Sequence, residues 1–146
     1  MTNQQEYIRL CSIPAVQEKI RERMGIWRIG DTGYDPIGQS VCIRFSDSFA
    51  RSFVFPTSGM FLLDTSQVIH LPQVHNLQNP ERGLEGMLKG EYTLTRCLCK
   101  DGDYCIAGSD EHDNVYLFHA TTPELALLRA LIHQWGLEGE SHDRAD

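Results

Sequence analysis

Near the end of the chain, Thr121-Thr122-Pro123-Glu124 runs into the apolar stretch Leu125 to Trp135, and this segment constrains the fold more than any other. Hydroxyls at the start, an early proline and a first-turn carboxylate are what a helix N-terminus requires. At 100° per residue, Leu125, Leu127, Leu128, Leu131, Ile132 and Trp135 fall on one stripe about 160° wide, with Ala126, Arg129, His133 and Gln134 on the remainder. Gly136 is placed to end the helix. Burying six such side chains is worth on the order of 10 kcal/mol before entropy is subtracted, comparable with the whole net stability of a small domain. The helix must therefore press on a surface made by the rest of the chain.

That surface is predicted to be mostly β. Gln39 to Phe45 alternates, with Val41, Ile43 and Phe45 on one face. Phe49 to Phe55, Met60 to Leu63 and Val68 to Leu71 read as further short strands, the last stopped by Pro72. Tyr92 to Lys100 and Tyr104 to Gly108 flank Asp101-Gly102-Asp103 as a hairpin, and Val115 to His119 extends it into a meander. Trp27 to Gly30 reads as a short strand, Asp31 to Gly38 as a loop dense in turn formers, and Leu84 to Lys89 as one or two helical turns closed by Gly90. Gln4 to Met24 has helical spacing interrupted by Pro14, so two helical pieces are expected, the second capped by Ser12. The fold class is α+β: an antiparallel sheet or meander packed by a C-terminal amphipathic helix and short N-terminal helices. One domain is expected over residues 1–137, with 138–146 a frayed polar tail.

Of the 146 residues, 41% are hydrophobic, enough for one core. No window reaches the roughly 18 apolar residues of a membrane span, and the start lacks the basic end and apolar run of a signal peptide. A cytoplasmic, soluble protein with no membrane partner is expected. A net charge of −7 argues against nucleic acid, whose phosphates need clustered cations. Lys19, Arg21, Arg23 and Arg28 do cluster, but Glu18 and Glu22 interleave with them, which reads as pairing along a helix face.

Five cysteines, Cys11, Cys42, Cys97, Cys99 and Cys105, form an odd set without disulfide-framework spacing and are expected to be reduced. Cys97 and Cys99 should share a strand face, with Cys105 across the hairpin. Zinc sites usually take C-x(2–4)-C from a turn, so these thiols read as packing groups even with His112 or His119 nearby, and neither a metal nor a cofactor is expected. His70, His75, His112, His119, His133 and His142 show no paired-ligand spacing. His133 and His142 read as solvated groups, and His112 as part of an exposed acidic turn. Asp64, His70 and His119 could form an acid–base pair, but no spacing selects one. Asp31-Thr32-Gly33 and Ser58-Gly59 read as turns and not as catalytic or phosphate motifs.

In order along the chain, Trp27-x-x-Gly30-Asp31, Leu71-Pro72-Gln73, Leu77-Gln78, Gly86-Met87-Leu88 and the helix opened by Glu124-Leu125 resemble a pattern of small proteins encoded by phages and prophages. The resemblance covers most of residues 7–138. The chain departs from it by extra residues between Leu77-Gln78 and Met87-Leu88 and by lacking a tryptophan early in the last helix. The resemblance implies expression in a bacterial cytoplasm from a mobile element, and no mechanism. The function expected is a non-enzymatic binding or accessory protein with a protein partner or a second copy, contacted through the loop from Trp27 to Pro36. The alternative is a small ligand-binding domain or enzyme with a polar pocket near the 92–119 strands, assembled from His70, His119 and the hairpin.

Overall fold

The computed structural model describes residues 2–28, 31–36, 40–46, 52–54, 61–62, 67–99, 102–109 and 112–139. Helices α1 (Asn3–Ser12) and α2 (Pro14–Met24) come first, followed by strands β1 (Thr32–Asp35), β2 (Ser40–Ser46), β3 (Ser52–Val54), β4 (Phe61–Leu62) and β5 (Ile69–His70). A 3-10 turn (Pro80–Arg82) and the single-turn helix α3 (Leu84–Met87) lead to β6 (Tyr92–Cys99), β7 (Gly102–Ser109) and β8 (Val115–Ala120), and α4 (Pro123–Gln134) ends the series. The five early strands form one antiparallel sheet in the order β4-β3-β2-β1-β5, and the last three form a second, the meander β6-β7-β8. The fold is α+β, with the C-terminal helix on a sheet. Among the described residues, no helix is long and apolar enough to cross a membrane.

Proline places the break in the N-terminal helices. Pro14 sits in the first turn of α2, where the N–H it lacks has no helical partner. Ser12 does not cap α2: its hydroxyl donates back to the Ile8 carbonyl at 2.6 Å, and Ile13 occupies the cap position. The cap that forms is on α1, where Thr2 and Gln5 exchange side-chain-to-backbone hydrogen bonds in a reciprocal box.

The segment from Trp27 to Asp35 departs from expectation. Residues 27 and 28 are not a strand, and Thr32–Asp35 is one, paired on one side with β2 and on the other with β5. Gly33 and Asp35 are turn formers by propensity, but two neighbouring strands satisfy this backbone, and a bulge between Gly33 and Tyr34 absorbs the irregularity. In the hairpin, Gly102 and Asp103 lie in β7 instead of the turn.

α4 is the hub. Thr122 accepts from the Leu125 N–H at 3.3 Å as N-cap. At the other end Gly136, at φ 71°, lets its N–H reach the His133 carbonyl and that of Leu137 reach Ile132, a paired closure that favours glycine. Leu125, Leu127, Leu128, Leu131 and Ile132 are buried, and Ala126 and Ala130 with them. The buried surface is therefore wider than the predicted stripe, and Trp135 is only half-buried at its margin. The helix touches β7, β8, α1 and α3, and one apolar cluster runs from Ile8, Cys11, Val16 and Ile20 through Leu84 and Met87 to Ile106, Tyr116 and α4.

The single turn of α3 is held from outside: the Leu84 and Glu85 N–H groups donate to the carbonyls of Gln73 and Val74, partners its own backbone cannot supply. A Cβ at Gly86 would run into the Pro80 carbonyl, so this close approach requires glycine. Face assignments for the side chains of Val41, Ile43 and Phe45, together with Phe49, Phe55, Ser58, Met60, Asp64, Asp101, His142 and residues 140–146, lie outside the described residues.

Leu128 is wholly buried at the centre of this cluster. Leu128→Ala is expected to lower the unfolding free energy by about 2–5 kcal/mol, and Arg129→Ala, one residue on and exposed, by less than about 1 kcal/mol. Denaturant titration of both variants checks the contrast.

Candidate functional site

Two polar constellations stand out, and they differ in kind. The first is interior. Asp31 and Arg82, nearly inaccessible, form a two-pronged ion pair: Arg82 Nη1 donates to Asp31 Oδ1 at 2.8 Å and Nη2 to Oδ2 at 2.6 Å. The same guanidinium donates to the Met24 and Ile26 carbonyls, and the Arg28 N–H donates to Asp31. These bonds clip the end of α2 to the 3-10 turn. Breaking such a pair leaves a buried charge unmatched.

Beside it, Gln17 holds His70. Gln17 Oε1 accepts from the His70 backbone N–H at 2.7 Å and lies 3.2 Å from the ring Nδ1, while its Nε2 donates to the Cys11 and His70 carbonyls. Trp27 stacks on the His70 ring, centroids 3.6 Å apart and planes 9° from parallel. Burial, reinforced by the cations of Arg21 and Arg82 and opposed by Asp31, drives the imidazole down to about 4. Trp27 and Asp31 are thus ties of the fold, and Asp31, Gly33 and Asp35 are buried, which corrects the expectation of an exposed loop at these positions.

The second constellation faces outward. The three-stranded sheet has one covered side: Ile106, Tyr116 and Ala120 are buried, and Tyr92, Leu94, Tyr104 and Phe118 pack against the core beneath α4. Alternation turns Cys105 and Ala107 of β7, and Val115, Leu117 and His119 of β8, to the other side. There Val115 is 80% and Leu117 57% exposed. Cys105 is directly opposite His119 in the β7–β8 register, with Cys105 Sγ 3.1 Å from His119 Nδ1.

Cys97 completes the group. Thr95 is opposite Cys105 in the β6–β7 register, and alternation puts Cys97, two residues on, on the same outer face. Cys97 lands against Cys105 with Cα atoms 6.4 Å apart, and the two are joined as a disulfide, within the roughly 4.4–6.8 Å span such a link needs. This corrects the expectation that the thiols are all reduced and only pack the core: the same hairpin that predicted their proximity also points them away from the core. Sulfur, sulfur and imidazole lie within 4.8 Å of one another, all half-buried. Cys11 behaves as the sequence suggested, a buried thiol on α1 that burial pushes up to about 12.

The other sequence candidates disperse. His75 pairs with Glu85 at 2.7 Å near the surface, and His112 is exposed in its turn. His133 is not merely solvated: its ring packs on Tyr116 and Phe118, and its Nδ1 meets Glu138 at 2.7 Å. An open depression of about 660 Å³ does lie beside the 92–119 strands, lined by Gly90, Tyr92, Thr93, Ala107, Gly108 and Val115 among others, but neither His70 nor His119 lines it. His70 and His119 belong to different sheets, each engaged with its own neighbours. Arg82 has no signal in the sequence, because no local pattern marks an arginine whose partner is 51 residues away.

Comparison with known protein families, curated proteins and solved structures finds no match.

The interior histidine gives a signed pH dependence. With the folded value near 4 and the unfolded value near 6.5, stability is unaffected by His70 above about pH 6.5, falls as pH drops because only the unfolded chain takes up the proton, and levels off below about 4. The full loss is about 3 kcal/mol. His70→Phe keeps a ring against Trp27 and removes the proton site, so the decline between pH 6.5 and 4 should be shallower than in wild type when denaturation midpoints are compared.

Proposed function

We propose that the chain is a small non-enzymatic binding protein whose outer sheet face responds to thiol oxidation at Cys97 and Cys105. The observation that carries this reading is the cross-strand disulfide itself, half-exposed, with His119 Nδ1 3.1 Å from Cys105 Sγ. Its setting in this reading is a bacterial cytoplasm, expressed from a phage or prophage, and there a disulfide is usually transient and redox-sensing. A protein partner or a second copy fits an acidic chain better than nucleic acid does.

The chemistry is thiol–disulfide exchange. A thiolate of a cellular dithiol attacks one sulfur, a mixed disulfide forms, and the second thiol of the reductant displaces it, delivering two electrons and leaving Cys97 and Cys105 as thiols. His119 is placed to hydrogen-bond the Cys105 sulfur once it is released. β8 carries both His119 and the exposed Val115 and Leu117, so opening the link acts directly on the strand that a partner would meet. The buried polar groups do not compete for this role, because Asp31, Arg82, Gln17 and His70 are engaged with one another's elements.

Native alkylation followed by peptide mapping tests the reading. Treatment with dithiothreitol should expose two further thiols, at Cys97 and Cys105, with Cys11 unlabelled until the chain is denatured. Oxidised glutathione should reverse the change, and amide exchange over 115–119 should differ between the two forms. An unchanged thiol count, or identical protection in both forms, would remove the proposal.

A further inference from the structure

We propose that the reduced protein binds one zinc ion through Cys97 Sγ, Cys105 Sγ and a ring nitrogen of His119, so that zinc and the disulfide are alternative occupants of the same three side chains. The inference rests on the reversibility of the Cys97–Cys105 link, and extends it by naming the ligand of the reduced state.

The donor set fits the ion. Two thiolates and an imidazole are soft-to-borderline ligands that suit zinc over magnesium or calcium. Tetrahedral zinc places sulfurs at about 2.3 Å and nitrogen at about 2.0–2.1 Å from the metal, so ligand atoms sit roughly 3.5–4 Å from one another. The three candidate atoms already lie within 4.8 Å of one another, so side-chain rotation without strand movement suffices. Three protein ligands leave a fourth position for water or for a donor from a partner.

The backbone supplies the preorganisation. Cys105 and His119 are cross-strand neighbours fixed by the β7–β8 register, and Cys97, two residues beyond Thr95 that pairs with Cys105, reaches them from the other side of β7. Three adjacent strands thus contribute one ligand each. The C-x(2–4)-C spacing that zinc sites usually take from a turn is replaced here by one ligand from each of three strands, and the set uses only Cys97 of the Cys97 and Cys99 pair. The Arg129 guanidinium donates to the His119 carbonyl at 3.3 Å, further fixing the strand that carries the imidazole.

The exchange balances. A dithiol reductant supplies two electrons and two protons to the disulfide. Zinc then displaces the two thiol protons to the solvent, and neutral imidazole donates its lone pair. Oxidation by a low-molecular-weight disulfide takes two electrons from the two thiolates, forms the S–S bond and releases the ion.

The test uses the full chain, reduced and held without oxygen. After equilibration with zinc chloride and removal of excess, elemental analysis should find one zinc per chain, and cobalt(II) in its place should give the visible and near-ultraviolet bands of tetrahedral thiolate coordination. Cys97→Ser, Cys105→Ser and His119→Ala should each weaken binding at least about tenfold, while His75→Ala should not. Oxidised glutathione should release zinc in step with the loss of two thiols. If the thiols cycle reversibly yet wild type and His119→Ala retain equal zinc, or cobalt shows no thiolate bands, the metal site is wrong and the redox reading survives. If reduction adds no thiols at Cys97 and Cys105, both fall together.

Discussion

The contact on which the rest depends is the burial of α4 between the N-terminal helices and the inner face of β6-β7-β8. Leu127, Leu128 and Leu131 are wholly inaccessible, and the same cluster takes in Val16 and Ile20 from α2 and Ile106 from β7. A three-stranded meander with no cover would have no reason to distinguish its two faces. α4 gives it an inside, and with strict alternation that decision turns Cys105 and His119 outward. The candidate site is therefore a consequence of core packing.

A division of labour follows between the two polar groups. Asp31, Arg82, Gln17 and His70 are deep and hydrogen-bonded within the protein, and they tie α2, β1, β5 and the 3-10 turn together. Energetically such a cluster is costly to assemble and more costly to break, which suits a fixed joint. Cys97, Cys105 and His119 are half-exposed on the outer face of the meander, where reagents can reach them and where a change of bonding disturbs little of the core. Cys11 marks the contrast, a thiol whose burial keeps it out of exchange chemistry.

How legible this was in the sequence depended on range. α4, the break at Pro14 and the hairpin were readable because their signals are local: an apolar stripe, a missing N–H, two β-prone runs around a turn. β1 was not, because Gly33 and Asp35 argue for a loop and only the strands on either side overrule them. The nearness of Cys97 to Cys105 followed from the hairpin alone. That they face away from the core required knowing which side of the meander α4 covers, and that His119 stands opposite Cys105 required the β8 register. The Asp31–Arg82 joint lay beyond reach for the same reason: its halves carry no mutual signal until the fold brings them together.

Native-state amide hydrogen exchange tests the organising role of α4 most directly, because it ranks the elements by the free energy needed to open them. If α4 holds the structure together, the amides of residues 128–134 should exchange only with global unfolding, together with those of the central strand β7. Rapid exchange across α4 while β6, β7 and β8 stay protected would show a sheet that stands without the helix, and would contradict the dependence of the fold on that contact.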